Sequence, residues 1–164
     1  MKATIIGVML PCLIMGLYGA SCSPKRVEEL DKLGTVGLTI KQQPFELWIA
    51  DDASEQTQGL MFVPAERMSP LADGTERGMI FAFDRARTLN FWMRNTIIPL
   101  DIAYLDSNGV VVATYTMAPL DERAGKYPSR SPAQYAIEVN AGVWERIGLR
   151  PGDTIEIPSA VQRR

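Results

Sequence analysis

The stretch from Phe91 to Asp106, FWMRNTIIPLDIAYLD, sets an aromatic ring, a guanidinium, an amide and a carboxylate into an otherwise apolar run. Trp92, Arg94 and Asn95 offer a flat face, a donor fork and an amide, a combination with which proteins hold sugars and carboxylates. A charge withdrawn from water needs a partner, so Arg94 and Asp101 are expected either to pair, to cap backbone groups, or to line a wet cleft. If residues 91–95 are extended, Trp92 and Arg94 share one face and Met93 and Asn95 the other. Only part of the block can then line a given pocket. The plainer alternatives are an ion pair of Arg94 with Asp101 or Glu138, and core packing for Trp92, Met61, Met93 and Met117.

Catalytic chemistry has few other carriers. The 164 residues contain no histidine, which removes imidazole bases, the Ser-His-Asp and Cys-His arrangements, and the commonest transition-metal ligand. Asp101 and Glu138 are the carboxylate pair that could serve as acid and base in a hydrolase. Lys126 lies near Ser129 and Ser131, but without a nucleophile elbow or a Ser-x-x-Lys spacing. Asp106-Ser-Asn-Gly109 begins like a calcium loop and lacks the remaining ligands, so a hairpin turn is expected there. No metal site and no cofactor are expected.

The elements that must position these groups can be read along the chain. At the start, Lys2 precedes an apolar run from Ala3 to Leu17, broken by Pro11 and glycines, and the run leads to Gly19-Ala-Ser-Cys22. This pattern suits a secretory signal over residues 1–21, with Cys22 as the lipid-carrying amino terminus, although Gly19 stands where lipoboxes usually carry an aliphatic residue. Ser23 in place of an acidic residue favours the periplasmic face of the outer membrane in a Gram-negative cell. Loss of the signal takes Lys2 and Cys12 with it. From 17 basic and 19 acidic side chains, the mature chain would keep a charge of about −3, which gives no support to nucleic-acid binding. Residues 22–34 read as a tether, with a short helix at 27–33.

The folded domain is expected over residues 35–158, followed by a polar tail at 159–164. Alternating apolar residues predict a hairpin of strands at 36–40 and 45–49. Asp52 and Glu55 form a capping-box pattern that opens a helix at 53–60. A loop at 63–74 and a buried strand at 78–83 follow. The central stretch is divided by a break at 96–99, where Pro99 cannot donate to a ladder. Asn108-Gly109 turns the strand at 100–106 into one at 110–117. After a loop at 118–132 come a strand at 135–139, a helix at 141–147 capped by Asn140 and stopped by Gly148, and a last strand at 154–157 after a Pro151-Gly152 turn. The sum is a mostly β (α+β) domain, a compact barrel-like mixed sheet of about seven short strands with two short helices.

Seven blocks carry a resemblance. Gly59-Leu-Met-Phe62, Gly78-Met-Ile-Phe-Ala-Phe83, Phe91-Trp-Met-Arg-Asn-Thr96, Ile98-Pro-Leu-Asp-Ile-Ala103, Tyr127-Pro-Ser129, Tyr135-Ala-Ile-Glu-Val-Asn-Ala-Gly142 and Gly148-Leu-Arg-Pro-Gly-Asp153 resemble, in order, the motifs of the DUF192 family. The family is of unknown function and often exported, so the resemblance implies no activity. Two positions depart from its pattern: Val63 stands where the family usually has arginine, and Arg94 where lysine is more frequent. The expectation is a lipid-anchored envelope module without catalysis, binding a small polar ligand, a glycan or a partner. Its ligand-binding candidates are Trp92, Arg94, Asn95, Asp101, Glu138 and Met61. The alternatives are the Asp101 and Glu138 hydrolase acting on an envelope polymer, and a structural partner protein that uses a sheet edge.

Overall fold

A computed structural model describes residues 25–123 and 125–162. The elements run α1 (Lys25–Leu30), β1 (Thr35–Ile40), β2 (Gln43–Ala50), α2 (Ala53–Gln58), α3 (Ala65–Met68), β3 (Glu76–Arg87), β4 (Asn90–Phe91), β5 (Leu100–Leu105), β6 (Val111–Met117), β7 (Tyr127–Pro128), β8 (Ala133–Asn140), α4 (Val143–Ile147) and α5 (Ser159–Gln162). Six strands form one sheet in the order β1-β2-β3-β8-β5-β6, while β4 and β7 make a separate two-residue ribbon. All neighbours in the large sheet are antiparallel except β2 and β3, whose parallel pairing is bridged by α2 and α3.

Mostly β with a mixed sheet is therefore the architecture, and the expected barrel closure is corrected. The sheet is open, with β1 and β6 at its edges. Apolar side chains leave both faces of its middle strands, so two cores form where a barrel would have a single interior. All six residues of β5 are buried, the pattern of a strand covered on both sides. On one face Trp48, Met79, Phe81, Ile102 and Tyr104 pack beneath Leu30, Leu60, Met68 and Met93. This is the α2 face. On the other, Phe45, Ile80, Ala103, Ile137 and Val139 pack beneath Trp144, Leu149, Ile155 and Val161. This is the α4 face.

Local chemistry accounts for most boundaries. The Asp52 side chain accepts from the Glu55 amide at 2.8 Å while Glu55 reaches back to the Asp52 amide at 3.2 Å, closing the capping box of α2. Asp106 accepts from the amides of Asn108 and Val110, and Gly109 takes φ 77°, which turns β5 into β6. Gly78 is required by proximity: a β-carbon there would run into the Glu138 carbonyl on β8 and the Leu47 side chain on β2.

Several expected elements differ. The loop at 63–74 contains α3, whose Met68 is buried, and the loop at 118–132 contains β7. Ahead of the break at 96–99 the central stretch contributes little ladder: only Asn90 and Phe91 pair there. Helix α4 begins at Val143 after Gly142 in the left-handed region, so Asn140 is not its cap; the Asn140 amide donates to the Met68 carbonyl at 2.6 Å and ties β8 to α3. The last strand reduces to one bridge, Val110 with Thr154, and the tail folds into α5 with Val161 buried. Leu30 is fully buried, so packing begins ahead of Thr35. The signal and Cys22 lie outside the described residues, among which no helix is long and apolar enough to cross a membrane.

Candidate functional site

Strand register decides what the two carboxyls can do. Asp101 on β5 pairs with Val139 on β8, and Glu138 pairs with Ile102. Paired residues share a face and their neighbours take the other, so Asp101 belongs to the α4 face and Glu138 to the α2 face. The acid and base pair across one cavity is thereby corrected: the sheet itself stands between them.

Asp101 is a structural group. It is 1% exposed, accepts a hydrogen bond from the Thr116 hydroxyl at 2.7 Å, and accepts from the Trp144 amide in the first turn of α4 at 3.0 Å. Both oxygens are engaged, and the carboxylate holds α4 to the sheet. It leaves the set of ligand candidates.

Glu138 has the opposite character. Only 4% exposed, its carboxyl makes no hydrogen bond and no ion pair among the described residues. Burial pushes it from an ordinary value of 4.5 up to about 8. The carboxyl lies in a small chamber of about 30 Å³ whose walls include Gln56, Met61, Phe81, Phe91, Trp92 and Thr96. Behind it, the Tyr104 hydroxyl donates to the Tyr127 carbonyl at 2.6 Å, and burial together with the nearby Glu138 raises its ionisation well above the usual phenol range.

A larger groove adjoins the chamber. An outer space of about 430 Å³ shares Gln56, Thr57, Phe91 and Trp92 with it and continues to Phe83, Arg87 and Asn90. Helix α2 supplies one wall, held by a hydrogen bond from the Gln56 amide to the Ala82 carbonyl at 2.7 Å. Strand β4 supplies another: Phe91 packs edge-on against Phe81 at 4.9 Å and against Tyr104 at 5.6 Å.

The remaining candidates gather at the rim. Trp92 is 44% exposed, and the exposed Arg94 guanidinium lies over its ring at 5.5 Å. Arg94 pairs with neither Asp101 nor Glu138. Met93 turns inward and is fully buried, but residues 94–95 form a turn, so the extended alternation expected over 91–95 does not run through Asn95. Asn95 is half-buried with φ 57°, donates to the Met61 sulfur at 3.9 Å, and offers its carbonyl to the Phe62 amide at 2.8 Å. Phe62 and Leu120 also have positive φ, 59° and 57°. Bulky residues rarely adopt that backbone, and both side chains are exposed, as are those of Ile97 and Trp92.

The loop beneath this rim is pinned by Asp121. Its carboxylate receives hydrogen bonds from Arg123, Lys126 and Tyr127, which hold it well below the usual carboxylate range, while its carbonyl accepts from the Met93 amide at 2.9 Å. Lys126 is thus engaged as a structural cation. Ser129 is equally committed, donating to the Ser131 carbonyl and accepting from the Leu89 amide. No group of three or more metal-ligating side chains occurs among the described residues.

Sequence reasoning named Glu138, Met61 and Trp92 for this site and missed Gln56, Thr57, Phe81, Phe91 and Thr96. A signal existed in the blocks themselves: those opening at Gly59, Gly78, Phe91 and Tyr135 each contribute to the chamber walls. At Val63, the departure from the family pattern, the side chain is fully buried in the core, so that position sends no cation toward the chamber.

Comparison with known proteins agrees with the fold. A protein of unknown function from Novosphingobium aromaticivorans is similar at 32% identity over 76% of this chain and 85% of its own, with a TM-score of 0.61. A proposed transcription regulator from Sinorhizobium meliloti is similar at 33% identity over 74% of this chain and 90% of its own, also with a TM-score of 0.61. No curated protein matches. The model of DUF192, described as an uncharacterized ACR, matches residues 36–157, a span that holds all seven blocks and every wall of the chamber; the chain belongs to the DUF192 family.

Proposed function

We propose that this protein is a binding module of the cell envelope, anchored through lipid on Cys22, that takes a small polar ligand into the groove between α2 and β4. The single observation that carries the reading is Glu138. A carboxyl withdrawn from water without a hydrogen-bond partner is costly, and this one stands beside a groove with aromatic walls. An apolar pocket with a few convergent polar groups is the ordinary form of a small-molecule site. Trp92 and Arg94 at the rim, with Gln56 and Asn90 along the walls, would orient the part of the ligand outside the chamber.

The test is a panel of neutral sugars, amines and carboxylic acids added to residues 23–164, followed through the assigned indole resonance of Trp92. Binding should shift that resonance, and Arg94→Ala, which keeps the reporter indole, should weaken binding several-fold while leaving the far-UV circular dichroism unchanged. A panel without a shift at millimolar ligand refutes the reading. Anchoring is tested separately: a fatty-acid label should mark the wild-type protein and not Cys22→Ala, and equal labelling of both refutes the lipid site.

A further inference from the structure

We infer that the chamber is an ammonium site, which takes the protonated primary amine of the ligand against Glu138. This rests on the binding reading above and names the chemical class it leaves open. The argument begins with what the walls offer. Among the lining side chains with donor hydrogens, Gln56 directs one to the Ala82 carbonyl, Thr57 its hydroxyl to the Ala53 carbonyl, Gln58 one to Glu29, and Thr96 its hydroxyl to the Arg94 carbonyl; none of these, nor the Trp92 indole N–H, donates to Glu138. The Glu138 oxygens have no such commitment. What the chamber presents is thus a carboxyl that no lining donor occupies, among the aromatic side chains of Phe81, Phe91 and Trp92.

A donor-rich cation fits that surface. Ring faces attract cations, and a carboxylate hydrogen-bonded to an ammonium in a dry site forms a strong charge-assisted contact. No protein cation competes, because Glu138 is the sole titratable group among the lining residues. Tyr104 on β5 lies behind it with its hydroxyl engaged; α2, β3 and β4 add no charged side chain to the chamber. Arg94 is outside over Trp92, and Arg87 lines the outer groove. Size restricts the class: about 30 Å³ admits one water-sized head group, so a primary ammonium enters and a quaternary one is excluded. Arg87 and Asn90 in the outer groove suit a polar or acidic remainder.

The experiment is calorimetry on residues 23–164 with ethanolamine, N-acetylethanolamine and choline between pH 6 and 9. The expected result is binding of ethanolamine alone, with affinity rising toward about tenfold per pH unit below pH 8, since Glu138 must give up its proton to receive the ammonium. The curve should flatten above about 8. Glu138→Gln should weaken binding about ten- to hundredfold and remove the pH dependence. Trp92→Ala, at an exposed position that folding does not require, should weaken it several-fold and keep the slope. Preference for N-acetylethanolamine, or affinity that falls as pH rises, leaves a ligand groove and overturns the ammonium assignment. Choline binding as tightly as ethanolamine overturns the chamber as its seat. No binding by these probes together with a silent panel in the Trp92 assay overturns both readings.

Discussion

Replacing Glu138 by glutamine should make the protein more stable at high pH and leave it little changed at low pH. In the folded chain the carboxyl titrates at about 8, against 4.5 when solvated. The raised value means that the unfolded chain releases this proton first. Stability is therefore unaffected by Glu138 ionisation below about pH 4.5, falls as pH rises toward 8, and levels off beyond it. The shift corresponds to roughly 5 kcal/mol as an upper bound. Glutamine cannot ionise, so the variant escapes this loss, although its buried amide also lacks partners and costs about 1–2 kcal/mol. Urea denaturation of both proteins at pH 4.5, 6, 7, 8 and 9 isolates the effect, because every other titrating group cancels in the difference. The expected curve starts with the variant equal to or slightly below wild type at pH 4.5. Between about pH 5.5 and 7 it should gain roughly 1.4 kcal/mol per pH unit, and it should end about 3 kcal/mol ahead at pH 9. A difference that does not change with pH would refute the burial argument, and with it the picture of Glu138 as an unpartnered carboxyl.

Three further substitutions separate architecture from the groove. Asp101→Ala, which frees the Trp144 amide and the Thr116 hydroxyl, should cost about 3 kcal/mol in urea denaturation at pH 7 without touching ligand binding; a loss under about 1 kcal/mol would contradict its capping role. Arg94→Ala removes an exposed guanidinium held only over Trp92 and should change stability by less than about 1 kcal/mol, so a large loss would reveal a buried partner. Gly78→Ala places a methyl against the Glu138 carbonyl and should cost on the order of 3 kcal/mol, with a wild-type urea midpoint as the contrary result.

Those same residues show how far the sequence could be read. Local signals survived into the structure: the capping box of Asp52 and Glu55, the Asn108-Gly109 turn and the first hairpin each depend on interactions within a few residues. Helix caps and tight turns are short-range chemistry, so they are legible without knowledge of the rest of the chain. Closure of the sheet is different. Whether β1 meets β6 depends on coverage of both faces by α2, α4 and the C-terminal segment, and strands buried on both sides lose the alternation that would reveal it. Asn140 illustrates the same limit at one residue: it has the chemistry of a cap, yet its amide went to Met68 on α3, far away in sequence.

The candidate site turned on a single step of register. Asp101 and Glu138 are both acidic residues inside apolar strands, and nothing in their local context distinguishes them. Pairing Asp101 with Val139 places Glu138 one residue out of phase, which sends one carboxyl to a helix terminus that completes its hydrogen bonds and the other to a chamber that does not. Helix α2 then determines the contrast. Gln56 and Thr57 look like ordinary surface residues of a short helix, but the hydrogen bonds they donate go to the Ala82 and Ala53 carbonyls and none goes to Glu138. A purely architectural carboxyl would be expected to recruit one of these groups, as Asp101 recruited Thr116 and Asp121 recruited Arg123, Lys126 and Tyr127. Glu138 stands apart from the other buried carboxylates, Glu76, Asp101 and Asp121, in lacking such a donor among the described residues, and the groove beside it is the route by which one could be supplied.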